Sequence, residues 1–352
     1  MLSIRRAILH SFDFETGICH LSDSELDVSQ RPVRSFVQRH VRKARMSPEL
    51  RRGEFAERSA FAERLRGYLS RTGEGSFAEL SVEIAQWFWE ELRRAEALDE
   101  SDILIAEFDD TGEASSASGM SDEELAAAFE GQADGYLAVL LLPRRQGFVH
   151  DMQPGGTSIA RTGALLPNPT QKLESYAIVN ERTLAIDYAD KPRSVGSVER
   201  MLIPDGFLQC SSEASSKEAI EEVVELVEEI AAERPHEAPA YVAAAKARIV
   251  SHADTEERFS PAEIGREVFE DAPELAEKYE RTVESKRLPD EVSVRRGAAT
   301  RLAKSHRIRT DTGIEIIFPS DLPAREGRIE FAREDDGHVS IIIKGVARIE
   351  NR

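Results

Sequence analysis

The sequence predicts an α+β protein of two domains. A mixed N-terminal domain spans residues 1–205, and a helical C-terminal domain spans 206–352 and ends in a small antiparallel sheet. Three observations predict this. The chain has 352 residues, which is room for two domains. Its first half alternates short apolar runs of strand length with stripes at helical spacing. After Asp205–Gly206 and the serines Ser211, Ser212, Ser215 and Ser216, the pattern changes to successive amphipathic helices.

The elements follow in order. Residues 2–12 (LSIRRAILHSF) alternate weakly and read as an opening strand. Asp23 to Asp27 is a turn before a helix, whose apolar stripe is Val33, Phe36, Val37 and Val41. Residues 56–71 and 76–98 are two further helices. In the second, Phe77, Leu80, Ile84, Phe88 and Leu92 recur at three- and four-residue steps. Trp87 and Trp89 flank that stripe, which puts one of them at a domain or subunit contact. Residues 102–108 (DILIAEF) read as a strand, and 111–133 as a Ser-, Gly-, Ala- and acid-rich excursion with one short helix. Strands at 135–142 and 146–152 precede a Gly/Pro-rich stretch from Pro154 to Pro169. Residues 174–180 and 183–189 pair around a tight turn at Glu181–Arg182.

In the second half, residues 217–233 form an acidic helix with Ile220, Val223, Val224, Val227 and Ile230 on one face. Helices at about 237–252, 260–270 and 272–286 come next, with Pro261 and Pro273 in first turns. Gly313–Phe318, Gly327–Ala332 and Val339–Lys344 read as closing strands. No internal repeat has a fixed period.

Charge and composition narrow the function. The 46 Lys and Arg against 65 Asp and Glu give −19. That excludes a wholly basic protein of the histone kind but leaves room for a local basic patch. Two cysteines, Cys19 and Cys210, make neither a disulfide framework nor a four-thiolate zinc site, and a reducing, cytoplasmic setting is expected. No signal peptide is visible. The longest apolar run, Tyr136–Pro143, is too short to span a bilayer, so no membrane association is expected.

Catalytic signals are sparse. The eight histidines show no HxH, HxxxH or HExxH spacing. Pro154–Gly155–Gly156–Thr157 is not followed by the Lys-Ser/Thr of a phosphate-binding loop, and no GxSxG occurs. Cys19 and His20 are neighbours on a strand and point to opposite faces. Glu284–Ser285–Lys286 matches the ExK fragment of a nuclease pattern, but on a helix rather than a strand. No catalytic residue, cofactor or metal is expected.

Two basic stretches stand out. From Arg31 to Pro48 there are six basic residues, Arg31, Arg34, Arg39, Arg42, Lys43 and Arg45, joined by His40, with no acid. At about 100° per residue they take almost all the circumference left by the apolar stripe. This fits a phosphate-contacting helix; it also fits a solvated face, or one paired with the acidic helices. From Val292 to Thr310 there are Arg295, Arg296, Arg301, Lys304, Arg307 and Arg309, with His306 and again no acid. Gly297, Ala298 and Ala299 permit close backbone approach to phosphate, and a flexible loop is the competing reading. The acidic helix, with Glu218, Glu221, Glu222, Glu225, Glu228, Glu229 and Glu233, suits a solvated outer face, a dimer helix or an acidic surface for a basic partner.

Three segments carry a resemblance. IRRAILHSFDFETGICHLSDSELD with VRSFVQRHVRKA after it, LLPNPTQKLESYAIVNERTLAIDY in the middle, and HVSIIIKGVARI at the end resemble the bacterial nucleoid-associated protein family of the NdpA/YejK type. The likeness spans nearly the whole chain. It implies a non-enzymatic, nucleoid-located protein that binds double-stranded DNA, forms a homodimer and is linked to type II topoisomerase function. Gln171 and Lys172 fall on the family's Gln-Lys pair, and Lys344–Gly345 on its terminal Lys-Gly. The 111–133 insert departs from the pattern.

The combined expectation is DNA binding through phosphates. The contacts would come from Arg34, Arg39, Arg42, Lys43, Arg45, Lys172, Arg295, Arg296, Arg301, Lys304 and Arg307. Little sequence specificity is expected, because no helix-turn-helix, zinc-finger or RRM signature appears. The alternative is an interaction module. Its acidic helices would bind a basic partner, such as a topoisomerase subunit or a defence or mobile-element factor, with weak or no DNA binding.

Overall fold

The apolar runs Asp102–Phe108 and Tyr136–Pro143 lie side by side in the middle of a seven-stranded sheet. The computed structural model describes residues 2–70, 75–96, 100–111, 134–153, 156–195, 198–234, 237–286, 288–294, 299, 305–319, 328–333 and 339–348. The short helix expected within 111–133 therefore lies outside the described residues. The chain divides into two compact units, residues 1–213 and 214–352.

The first unit contains β1 (Leu2–Asp13), β2 (Ile18–His20), β3 (Arg51–Gly53), β4 (Ser101–Asp110) and β5 (Asp134–Pro143). β6 (Arg145–Gln153) and β7 (Gly156–Leu165) form a separate ribbon, and β8 (Tyr176–Asn180) and β9 (Ile186–Ala189) return to the sheet. The sheet order is β2-β1-β4-β5-β8-β9-β3, antiparallel throughout. β10 (Pro192–Val195) and β11 (Val198–Met201) make a small hairpin.

Both faces of this sheet are covered, so its central strands read as unbroken apolar runs rather than alternating ones. The first eight residues of β4 are all buried. Ile103 and Ile105 face one core, with Leu137, Val139 and Leu141 of β5. Leu104, Ala106 and Phe108 face the other, with Ala138, Leu140 and Leu142. The weak alternation of β1 has a local cause. A bulge between Ile4 and Arg6 inserts one residue, so Leu2, Ile4 and Ala7 share one face while Ile8 and Phe12 take the other.

α1 (Arg31–Arg45) covers the Leu104 face through Val37, Val41 and Ala44. α2 (Ala60–Leu69) and α3 (Phe77–Leu92) cover the opposite face, together with a π-helical segment, Leu202–Leu208. α3 starts at a capping box in which Ser76 accepts from the Glu79 amide and Glu79 accepts from the Ser76 amide. Its carboxylates Glu79, Glu83, Glu90 and Glu91 line a helix that has no Lys or Arg.

The break expected at Asp205–Gly206 falls inside the π-helical segment, whose Leu202, Ile203, Phe207 and Leu208 are buried in the first unit. Phe207 lies 4.4 Å from Phe61 and 4.7 Å from Phe88, ring centre to ring centre. Trp87 meets Phe207 edge-on at 5.6 Å, and Trp89 stacks on Phe14 at 4.8 Å, so both indoles pack on the first unit's own aromatics. Cys19 packs against the same core while its neighbour His20 is exposed.

The second unit is helical first. α4 (Ser216–Ala231), α5 (Ala238–Glu256), α6 (Pro261–Val268) and α7 (Pro273–Lys286) enclose one core. α4 has its own capping box at Ser215 and Glu218. Its stripe, Ile220, Val223, Val227 and Ile230, is filled by Tyr241 and Ile249 of α5 and Leu275 and Tyr279 of α7. At Gly265 of α6, a Cβ would lie 2.1 Å from the Tyr279 ring, so only glycine permits that approach. β12 (Arg258–Phe259) pairs with β13 (Val292–Ser293). Two hairpins follow, β14 (Ser305–Arg309) with β15 (Glu315–Pro319), and β16 (Ile329–Arg333) with β17 (Val339–Ile343). The closing sheet is thus two antiparallel pairs.

Two buried polar nodes tie the first unit together. The Asp190 side chain is fully buried. Its Oδ1 accepts from Ser175 Oγ at 2.6 Å and Arg193 at 2.9 Å, and its Oδ2 accepts from the Ile203 amide at 2.8 Å. One carboxylate thereby joins the start of β8, the β9–β10 connection and the π-helical segment. His10, 1% exposed, bonds Ser81 Oγ through Nε2 at 3.1 Å and accepts the Ser22 amide at Nδ1 at 3.0 Å.

These nodes give two testable outcomes. Asp190→Ala leaves the Arg193 guanidinium with Ser175 and the Lys191 carbonyl but without its carboxylate, and should destabilise the first unit by about 3 kcal/mol in denaturant titration. An unchanged midpoint would refute that role. Burial holds His10 at a pKa of about 4, below its ordinary 6.5. The unfolded chain therefore binds the extra proton between those values. Stability is full above pH 6.5 and falls by up to about 3 kcal/mol as pH drops toward 4. The His10→Gln variant should lack that part of the pH slope.

Candidate nucleic-acid interface

α1 is set by three local features. Pro32 occupies its first turn, Arg42, Lys43 and Arg45 sit in its last turn where cations oppose the helix dipole, and no acid occurs along it. The sheet buries Val37, His40, Val41 and Ala44. At about 100° per residue, the direction opposite that stripe belongs to Arg31, Arg42 and Arg39, with Lys43 and Arg34 on its flanks. All five are exposed, and among the described residues none forms an ion pair with a carboxylate. Arg34 donates weakly to the carbonyls of Val28 and Ser29, at 3.4 Å each. Lys43 Nζ donates to the Thr170 carbonyl.

Two residues of the basic stretch are placed otherwise than expected. His40 is fully buried, 4.3 Å from the Phe36 ring, with Nδ1 3.0 Å from the Phe36 carbonyl. Burial, aided by Lys43, pushes its pKa below the ordinary histidine value. Arg45 lies beside Val41 on the helix circumference and turns inward. Its Nε is 2.8 Å from Asp110, its guanidinium sits 4.1 Å over the Tyr136 ring, and it donates to the Tyr136 hydroxyl at 2.9 Å. Asp187 stands 4.0 Å away. Arg45 therefore clamps α1 to β4 and β5 rather than facing outward.

Lys172 stands beside α1 on the segment that follows β7. Its ammonium pairs with Glu49 at 2.8 Å yet stays 62% exposed. Gln171 closes its own turn, accepting from the Asn168 amide at 3.1 Å. Leu166 and Leu173 bracket this segment and pack into the core that holds Val37 and Val41.

The second basic stretch is divided. Arg295, Arg296, Arg301 and Lys304 lie outside the described residues, as do Gly297 and Ala298. Ala299 is buried in the second unit's core. Arg307 is exposed on β14, across from Ile317, so the end of the stretch is strand rather than loop. Glu221, Glu225, Glu228 and Glu229 of α4 face solvent. The ExK residues Glu284, Ser285 and Lys286 end α7, all exposed, with Lys286 4.0 Å from Glu222. Among the described residues, no group of three His, Cys, Asp or Glu side chains is placed to hold a metal ion.

Arg145 and Arg161, on the β6–β7 ribbon, escaped the sequence reading. Their signal was present: between Pro143 and Leu173 the only acid is Asp151. The glycines and prolines of that stretch obscured it.

This is a mixed α+β protein of two units, acidic overall, that displays one helix with a basic outer surface. The chain belongs to the family of the nucleoid-associated protein YejK, whose model matches residues 8–351. That span takes in α1 and reaches from the first unit to the last hairpin. The role it carries is a nucleoid-associated one. No curated protein matches the chain. Among the described residues, no helix is long and apolar enough to cross a membrane.

The two groups of arginines should separate by mutation. Arg45→Ala removes a charged hydrogen bond and a ring contact and should cost about 2 kcal/mol in thermal unfolding. Arg39→Ala should leave the midpoint within about 0.5 kcal/mol. Equal midpoints would show that Arg45 is not a clamp.

Proposed function

We propose that the protein binds double-stranded DNA through phosphate contacts from α1, without reading base sequence there. One observation carries this reading: Arg31, Arg34, Arg39, Arg42 and Lys43 are exposed on one acid-free helix of a chain whose net charge is −19. Arginine presents planar paired donors that match a phosphate's oxygens, and the helix fixes their spacing. Lys172 extends the surface at the helix's C-terminal half. The family supports a nucleoid setting for such contacts.

The mechanism is electrostatic. Each phosphate neutralised releases condensed counterions, so log affinity falls with log salt by about 0.9 per contact. Five contacts give a slope of about −4 to −5. Fluorescence anisotropy on a labelled duplex of about two helical turns, over a salt series, measures it. Arg39→Glu with Arg42→Glu should weaken binding about tenfold or more near 0.1 M salt and flatten the slope by about 2. Unchanged affinity in a folded variant would remove α1 from the interface.

A further inference from the structure

The β6–β7 ribbon stands apart from both cores. The two strands pair with each other from Arg145–Leu165 to Gln153–Gly156, outside the seven-stranded sheet. Nine residues in β6 reach about 30 Å. Phe148 is 74% exposed and Ile159 77%, far from the ordinary state of side chains so large. Phe148 lies across from Arg161 and His150 across from Ile159. Opposed residues share a face, so Phe148, His150, Ile159 and Arg161 all project from the same side. A lone two-stranded ribbon is marginal in water, and this one leaves its apolar residues uncovered.

Both of its roots are tied down, and the second sits beside α1. Arg144, just before β6, has a side chain 14% exposed, is paired with Glu100 and with Asp102 at 3.5 Å, and donates to the Phe12 carbonyl, which fixes the first root to β1 and β4. Leu166, just after β7, packs in the core that holds Val37 and Val41 of α1, and Lys43 of α1 holds the Thr170 carbonyl. The β7 end of the ribbon therefore meets the fold next to the basic helix. The ribbon itself carries two exposed basic residues, Arg145 and Arg161, against one acid in its sequence, Asp151.

We propose that the ribbon is a DNA-gripping arm. It lies along a groove of the duplex that α1 holds, with Arg145 and Arg161 on phosphates and Phe148 and Ile159 against the bases, prying a base step apart and bending the duplex. This rests on the DNA-binding reading above and adds a second, apolar contact to it. A two-stranded ribbon fits a DNA groove, and apolar wedges between base steps kink the helix. The charge favours a polyanion over a second copy of the chain. Symmetric pairing through ribbons rooted beside α1 would bring two basic helix faces together, at a repulsive cost.

The test uses the full chain. Phe148→Ala with Ile159→Ala changes exposed side chains, so folding should be intact. Affinity is read by anisotropy. Bending is read by end-to-end energy transfer in a doubly labelled duplex of about three helical turns. Oligomeric state is read by sedimentation velocity, and Arg39→Glu with Arg42→Glu serves as reference. The expected result is a loss of about tenfold in affinity, abolished bending and an unchanged oligomeric state. If the reference variant loses binding while the ribbon variant binds and bends as the wild type does, the arm is refuted and the α1 reading stands. A ribbon variant that falls to a smaller oligomer identifies a self-association arm and overturns the proposal. A wild-type protein that binds no duplex overturns both.

Discussion

The display of α1 depends on its seat against one face of the sheet. A helix of 15 residues is marginal by itself in water. Val37 and Val41, both fully buried, supply about 1.5–3 kcal/mol each, and Ala44 lets the backbone come close. Arg45 adds a clamp through Asp110 and Tyr136. That narrow stripe consumes four residues and fixes the rotation of all the others. Once the rotation is fixed, Arg39 and Arg42 have no direction available but outward. The same sheet face anchors Leu166 and Leu173, and through them the segment at the ribbon's base.

The sheet in turn is held by polar groups that water cannot reach. Asp190 gathers donors from three segments that are distant in the chain, and His10 links β1 to α3 through Ser81. Such nodes stabilise little in comparison with apolar burial. Their effect is on uniqueness, because any slip of β8 or of the π-helical segment leaves a buried charge unpaired. The positions of α1 and the ribbon root inherit that definition.

Much of this architecture was legible in the sequence because it repeats simple local rules. The apolar runs of β4 and β5 marked strands, and the structure buries them on both sides. Pro261 and Pro273 sit in the first turns where the sequence put them. What was illegible depends on partners remote in sequence or on an absence of burial. Among its described residues β7 has no buried side chain to impose alternation, so its Gly and Ser content read as irregular chain. Arg45 and Arg42 look alike in sequence. They differ because Asp110, Asp187 and Tyr136 reach only the former. His40 looked like part of a basic run because its place on the buried stripe is set by the sheet. The second basic stretch largely falls outside the described residues, and Arg307 at its end belongs to a hairpin.

Three of the four glutamates of α3 are answered by nearby arginines: Glu83 by Arg64, Glu90 by Arg93, and Glu91 by Arg94 and Arg200. The outward arginines of α1 meet no carboxylate among the described residues. The two helices therefore differ in reach as well as in sign. A carboxylate beside its counter-charge has a field that dies within a few ångströms. An unanswered row of guanidinium groups projects its field into the solvent, until added salt shortens the range to about 10 Å near 0.1 M.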